Sequence, residues 1–139
     1  MKEFISKSVK DTETIAKEIV KSLSSGDVIL LKGDLGAGKT AFVKSVVNAL
    51  GGDKNLVTSP TFTLVNEYVI EGQTIYHFDL YRINDVNELY NIGIEEYLYS
   101  NAICFFEWPE RAEEIFNMNY KTIEIFKLGE SERKIVFCD

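Results

Sequence analysis

The sequence predicts a three-layer α/β fold in which a mixed, mainly parallel central sheet is flanked by helices. Three observations predict it. Residues 28–31 (Val-Ile-Leu-Leu) and 102–106 (Ala-Ile-Cys-Phe-Phe) are continuous apolar runs, too short for helices and suited to strands buried on both faces. Amphipathic helical stretches alternate with these runs. A glycine-rich turn joins the first run directly to a helix. The 139 residues are a typical size for one domain, expected to span 1–139.

Taken in order, residues 11–24 read as a helix with Ile15, Ile19, Val20 and Leu23 on one face, Asp11 or Thr12 capping its start and Gly26 ending it. The first buried strand follows over 27–32. A second helix starts at Lys39, carries the stripe Phe42, Val43, Val46, Val47 and Leu50, and stops at Gly51 and Gly52. Residues 62–70 and 74–81 are rich in β-branched and aromatic side chains and flank Glu71-Gly72-Gln73, the pattern of a hairpin. In its second strand Tyr76, Phe78 and Leu80 share one face, and Ile75, His77, Asp79 and Tyr81 the other. Short helices are expected over 84–90 and 93–99. The second buried run ends in Glu107, and Pro109 suits the first turn of a helix reaching about Phe116. Residues 120–127 and 133–138 read as closing strands.

Composition narrows the function classes. Cys104 and Cys138 are the only cysteines, they belong to no Cys/His cluster, and both alternate with apolar neighbours. A disulfide scaffold or structural zinc site is therefore disfavoured, and both read as core residues in a reducing compartment. No segment resembles a signal peptide or a membrane span, so a cytoplasmic protein without membrane contact is expected. The net charge of −7 gives no sign of the basic face of a lone nucleic-acid binder.

Residues 33–40, Gly-Asp-Leu-Gly-Ala-Gly-Lys-Thr, match the phosphate-loop pattern G-x-x-x-x-G-K-[ST] at every fixed position. Glycines let the backbone turn so that successive N–H groups face inward as an anion nest, and the helix beginning there adds its positive end. Lys39 is expected to reach the β- and γ-phosphates of a nucleoside triphosphate, and Thr40 to offer its hydroxyl to magnesium. The loop context, a buried strand before and an amphipathic helix after, is the one the motif requires. Asp34, Leu35, Gly36, Ala37, Gly38, Lys39, Thr40 and Ala41 are the expected nucleotide contacts, with Lys39 facing solvent while the site is empty.

Such loops work with an acidic residue at the end of a neighbouring buried strand. Glu107 is the first candidate, although aspartate is the usual residue, and a solvated strand-end glutamate is the alternative. Asp79 is the second, the alternative being a cap on the turn that follows. His77 by itself reads more readily as a half-buried structural histidine than as a catalytic one. Trp108 suits either an aromatic lid or simple packing. Ser59 and Thr61, in the segment after the loop helix, are candidate γ-phosphate sensors; the alternative is a turn punctuated by Pro60.

The motifs taken together resemble one family. Gly33-Asp-Leu-Gly-Ala-Gly-Lys-Thr40, Ser59-Pro-Thr-Phe-Thr-Leu-Val65, His77-Phe-Asp-Leu-Tyr-Arg82, Gly93-Ile-Glu-Glu-Tyr-Leu98 and Glu107-Trp-Pro-Glu-Arg111, in this order, are similar to the bacterial TsaE (YjeE) ATPases over nearly the whole chain. The resemblance implies an ATP-dependent accessory role in forming N6-threonylcarbamoyladenosine next to the anticodon of tRNA. It implies TsaD and TsaB as partners, contact with tRNA only through them, and weak ATP hydrolysis by the protein alone. It places Mg2+ between Thr40 and Glu107, makes Lys39, Asp79 and Glu107 the catalytic set, raises Ser59 and Thr61 as switch residues and brings Arg133 near the nucleotide. The preference for ATP comes from the family; no guanine-reading Asn-Lys-x-Asp is present. Two other readings stand beside it, a non-catalytic nucleotide-controlled binding module and a small-molecule kinase. The kinase reading lacks an arginine-rich lid. Arg82 and Arg111 are the only candidates for an arginine finger, neither convincing, so slow unassisted hydrolysis is expected.

Overall fold

The computed structural model describes residues 1–60 and 63–139. Seven strands, β1 (Lys2–Ser6), β2 (Val28–Lys32), β3 (Val65–Ile70), β4 (Gln73–Asp79), β5 (Ile103–Glu107), β6 (Lys121–Lys127) and β7 (Arg133–Cys138), form one sheet in the order β1-β7-β6-β2-β5-β4-β3. The pairings β6–β2, β2–β5 and β5–β4 are parallel. Antiparallel pairs add β3 at one edge and β7 then β1 at the other. Five strands thus point one way and only β3 and β7 the other, which agrees with the mixed, mainly parallel sheet expected.

The helices lie in two layers. α1 (Val9–Val20) and α2 (Lys39–Ala49) cover one face, burying Ile15, Ile19, Phe42, Val43 and Val46 against Ile29, Leu31, Phe105 and Ile123. The other face lies under α3 (Asn87–Asn91), α4 (Ile94–Leu98) and a 3₁₀ segment, Pro109–Ile115. There Phe78 and Phe106 stack with ring centroids 4.4 Å apart, and Phe116 meets Phe106 edge-on at 4.9 Å. β2 and β5 are covered on both faces, which is why they read as unbroken apolar runs. No helix among the described residues is long and apolar enough to cross a membrane.

Several local expectations need correcting. α1 starts earlier than residue 11, because the Ser8 side chain, not Asp11 or Thr12, caps it by accepting from the Asp11 amide at 3.0 Å. Asp11 instead accepts from the Lys7 amide at 2.9 Å, which fixes the chain entering the helix. The helix ends at Val20, short of Gly26, in a turn at Lys21. The segment at Pro109 is 3₁₀ rather than α, with a kink at Ala112. β1 carried no alternating signal strong enough to be read, since its residues except Ser6 are exposed or half-exposed and its order comes from pairing with β7. Cys104 is core, and burial pushes its thiol pKa up to about 12; Cys138 is only half-buried.

Removal of the cap gives a first prediction. Ser8→Ala should cost about 1 kcal/mol, read as a lower midpoint in urea unfolding with an unchanged slope. An unaltered midpoint would show that α1 is held by packing alone.

Candidate functional site

The site is built where three parallel strands end. β2 stops at Lys32, residues 33–38 turn over the end of the sheet, and α2 begins at Lys39. Glycine is required there at three positions, Gly33, Gly36 (φ +81°) and Gly38. A Cβ at Gly33 would lie 2.9 Å from the Ile125 carbonyl oxygen, and Gly38, at the start of α2, has φ +106°. Among the described residues no side chain caps this eleven-residue helix. Its first amides and its positive end therefore face the loop, an arrangement that can hold an anion.

Two carboxylates arrive beside the loop by strand register. Asp79 on β4 pairs with Glu107 on β5, and Glu107 pairs with Leu31 on β2, so one row crosses three strands. Both carboxylates are buried, at 6% and 4% exposure, so Glu107 is not the solvated strand-end glutamate that sequence alone left open. Glu107 Oε2 accepts from the Thr40 hydroxyl at 3.1 Å and lies 2.5 Å from His77 Nε2. Asp79 accepts from the Tyr81 amide at 2.9 Å, so it does cap the following turn while it also faces the cavity. That cavity, about 450 Å³, is lined by Lys39, Thr40, Ser59, Asp79, Glu107 and Trp108, with Tyr81 and Arg82 at its side. Thr61 lies outside the described residues.

Lys39 departs from expectation. It is 5% exposed rather than facing solvent. Its ammonium donates to the Gly33 carbonyl at 2.6 Å and sits 3.5 Å from the centre of the Trp108 ring. Burial lowers the Lys39 pKa, while Glu107, Asp79, Glu110 and Asp34 pull it back up. Trp108 thus contacts the cation rather than merely filling the core, and it holds φ +58° to do so. Tyr81 leans on Trp108 with ring centres 4.9 Å apart, and the Arg111 guanidinium lies 5.4 Å over Tyr81.

Arg133 braces the loop from its other side, its Nε donating to the Ala37 carbonyl at 2.8 Å and its Nη1 to the Gly129 carbonyl at 2.8 Å. A second cavity, about 460 Å³, opens there between Ser6, Thr12, Gly38, Ala41, Ser45 and Arg133. Gly38 and Ala41 line both cavities, so a ligand straddling the start of α2 can occupy both. Asp34, Leu35 and Gly36 form the exposed tip of the loop, Leu35 at 76% exposure.

The donor set suits a particular kind of cation. Among the described residues no group of three or more His, Cys, Asp or Glu side chains is placed to hold a metal. A hydroxyl and one or two carboxylates beside an anion-binding loop fit a hard divalent ion that completes its shell with phosphate and water, and do not fit zinc. Of two further polar residues at the site, sequence alone underestimated the burial of His77 and missed Tyr68. His77 is fully buried, not half-buried, and touches Glu107; Tyr68 lies across the hairpin, its hydroxyl 3.5 Å from His77 Nδ1. The signal for His77 was its place two residues before Asp79 on one strand face; Tyr68 becomes a partner only once the hairpin register is known.

Known proteins share this arrangement of sequence and fold. The family model described as "Threonylcarbamoyl adenosine biosynthesis protein TsaE" matches residues 6–135. The "tRNA threonylcarbamoyladenosine biosynthesis protein TsaE" of Bacillus subtilis (strain 168) is 39% identical over 128 residues, 92% of this chain and 79% of that protein. The protein of the same description from Treponema pallidum (strain Nichols) is 36% identical over 132 residues, 94% of this chain and 96% of its own. The crystal structure of Bacillus subtilis YdiB superposes with a TM-score of 0.76 at 32% identity, covering 98% of this chain and 83% of that one. With the loop, the buried carboxylate row and these matches in agreement, the chain belongs to the TsaE family of threonylcarbamoyl adenosine biosynthesis proteins.

Proposed function

We propose that this chain binds ATP with Mg2+ across residues 33–41, hydrolyses it slowly, and serves in the cytoplasm as the accessory ATPase for N6-threonylcarbamoyladenosine formation next to the anticodon of tRNA. One observation carries the reading: Lys39, Thr40, Asp79 and Glu107 converge on one cavity at the uncapped start of α2. In this reading the triphosphate lies along the loop amides, and Lys39 swings from the Gly33 carbonyl onto the β- and γ-phosphates. Thr40 and Glu107, already within hydrogen-bond distance, are the protein oxygens that hold magnesium. The ion supplies charge neutralisation on the phosphates and a template for in-line geometry. Asp79 orients the attacking water, and Ser59 faces the γ-phosphate end of the cavity. The base and ribose take the second cavity, beside Ala41 and Arg133.

Hydrolysis then rests on positioning and electrostatics. TsaD and TsaB are the partners, and the acidic chain meets tRNA only through them. In this reading hydrolysis by the chain alone is slow, and a partner-supplied cation is its expected accelerator. Adding the purified partners should raise ATP turnover; a rate that does not change on their addition would defeat the accessory-ATPase reading.

Two substitutions test the site itself. Lys39→Ala should fold and weaken ATP binding by at least about 10-fold, the worth of one charge-assisted hydrogen bond. Trp108, the sole tryptophan, gives the readout. Its emission should shift when nucleotide draws the ammonium off its ring in the native protein; the variant has no ammonium to move, so its affinity is read by calorimetry. Native affinity in Lys39→Ala would remove the phosphate assignment. Glu107→Ala should retain nucleotide binding and lower hydrolysis by about 100-fold, the scale of losing one preorganised electrostatic group. Reconstituted tRNA modification should fall with it. Modification at the native rate without hydrolysis would instead identify a nucleotide-controlled binding module.

A further inference from the structure

Behind the carboxylate row lies a buried polar chain with no part in that reaction. His77, at 0% exposure, pairs through Nε2 with Glu107 and through Nδ1 with the Tyr68 hydroxyl. The Tyr68 oxygen accepts from the Thr58 amide at 3.4 Å and reaches the Thr58 carbonyl at 3.3 Å. Asn66 reinforces the junction, its amide nitrogen donating to the Thr58 carbonyl at 3.2 Å and to the Tyr68 oxygen at 3.4 Å. Its side-chain oxygen accepts from the Thr63 hydroxyl at 2.9 Å. Glu107 is therefore joined through His77 and Tyr68 to Thr58, and through Asn66 as well to Thr63, the two flanks of the segment that carries Ser59.

The chain is directional. With Glu107 ionised and His77 neutral, Glu107 accepts from Nε2–H and the Nδ1 lone pair faces Tyr68. The single Tyr68 proton then has two acceptors, Nδ1 and the Thr58 carbonyl, and serves one at a time. The surroundings are apolar: Ile70, Ile75 and Phe105 belong to the same core. A leucine and a phenylalanine would fill this space without the cost of burying polar groups, so packing does not account for the pair.

We propose that His77 and Tyr68 are positioning residues that orient the Glu107 carboxylate and couple it to Thr58, so that a cation at Glu107 and the posture of the Ser59 segment govern one another. The metal half rests on the reading of Glu107 given above; the coupling of Glu107 to Thr58 does not. Reciprocity is required by linkage: what orders the segment must tighten the cation, and the reverse.

Two measurements test it, with thermal melting confirming that each variant is folded. The first uses the protein without nucleotide and reads hydrogen exchange at the Thr58 amide. Glu107→Ala should speed that exchange about 10-fold, a local opening effect. In a Tyr68→Phe background, where the ring is kept and the hydroxyl lost, exchange should already be fast and Glu107→Ala should add nothing. Glu107→Gln serves if the alanine variant does not fold. Exchange at Thr58 that ignores Glu107, or responds equally in both backgrounds, overturns the coupling.

The second reads the Mg2+ concentration at half-maximal nucleotide response of Trp108 fluorescence. Tyr68→Phe and His77→Leu should raise it about 10-fold, the usual scale for residues that orient a metal ligand. His77→Gln, whose amide can donate to Glu107, should recover most of the loss. A native midpoint in Tyr68→Phe, or equal midpoints for the Leu and Gln variants, overturns the positioning role. A native protein with no response to magnesium and nucleotide would sink the function proposed above, and the exchange measurement would still decide the coupling.

Discussion

The site depends on one constraint, the register that sets Asp79, Glu107 and Leu31 in a single row across β4, β5 and β2. A slip of one residue in either pairing would turn a carboxylate to the opposite face of the sheet, into the aromatic layer around Phe78 and Phe106. The apolar runs on β2 and β5 hold the register, because both faces of these strands are buried. The carboxylates in turn constrain everything near them. Two buried acids side by side are costly unless donors and a cation stand close. Thr40 and His77 supply donors to Glu107, the Tyr81 amide supplies one to Asp79, and the Lys39 ammonium supplies the charge.

This balance explains why Lys39 is buried. An ammonium left in solvent would do little for the carboxylates, whereas folded against the Gly33 carbonyl and the Trp108 ring it lies within their field. The arrangement is complete in itself and also replaceable. A polyanion on the loop offers the ammonium stronger acceptors than one carbonyl and an aromatic face, and a hard cation relieves the carboxylates that the ammonium leaves behind. Anion and cation are therefore expected to bind together, each compensating for what the other displaces.

The parts legible in the sequence were those fixed by local chemistry. The phosphate loop was visible because its backbone needs glycine at set places, and the buried strands because both their faces are apolar. Asp79 and Glu107 were found from their position at strand ends, before any register was known. What could not be read depends on contacts distant in sequence. Tyr68 meets His77 only because a two-residue turn at Glu71 and Gly72 fixes the hairpin register with Ile70 opposite Gln73. The burial of Lys39 depends on Trp108, 69 positions away, turning into the left-handed region. The early start of α1 was missed because Ser8, Asp11 and Thr12 are all competent caps, and only the interlocked pair of Ser8 with the Asp11 amide and Asp11 with the Lys7 amide decides among them.

The antiparallel additions at the sheet edges give the central loop two different neighbours. On one side, β7 brings Arg133 against the Ala37 carbonyl, and β1 leads into the cavity beside Gly38. On the other, β3 brings Tyr68 and Asn66 against Thr58. The four parallel strands between them are shared architecture and cannot distinguish one ligand state from another, since their core leaves little room to move. Change on binding must be taken up at the margins, where side chains hold backbone by a few hydrogen bonds. The β3 margin reports on the carboxylate end of the site and the β7 margin on the loop carbonyls. A partner that bridges both would sense the cation and the anion together, which a partner touching either alone would not.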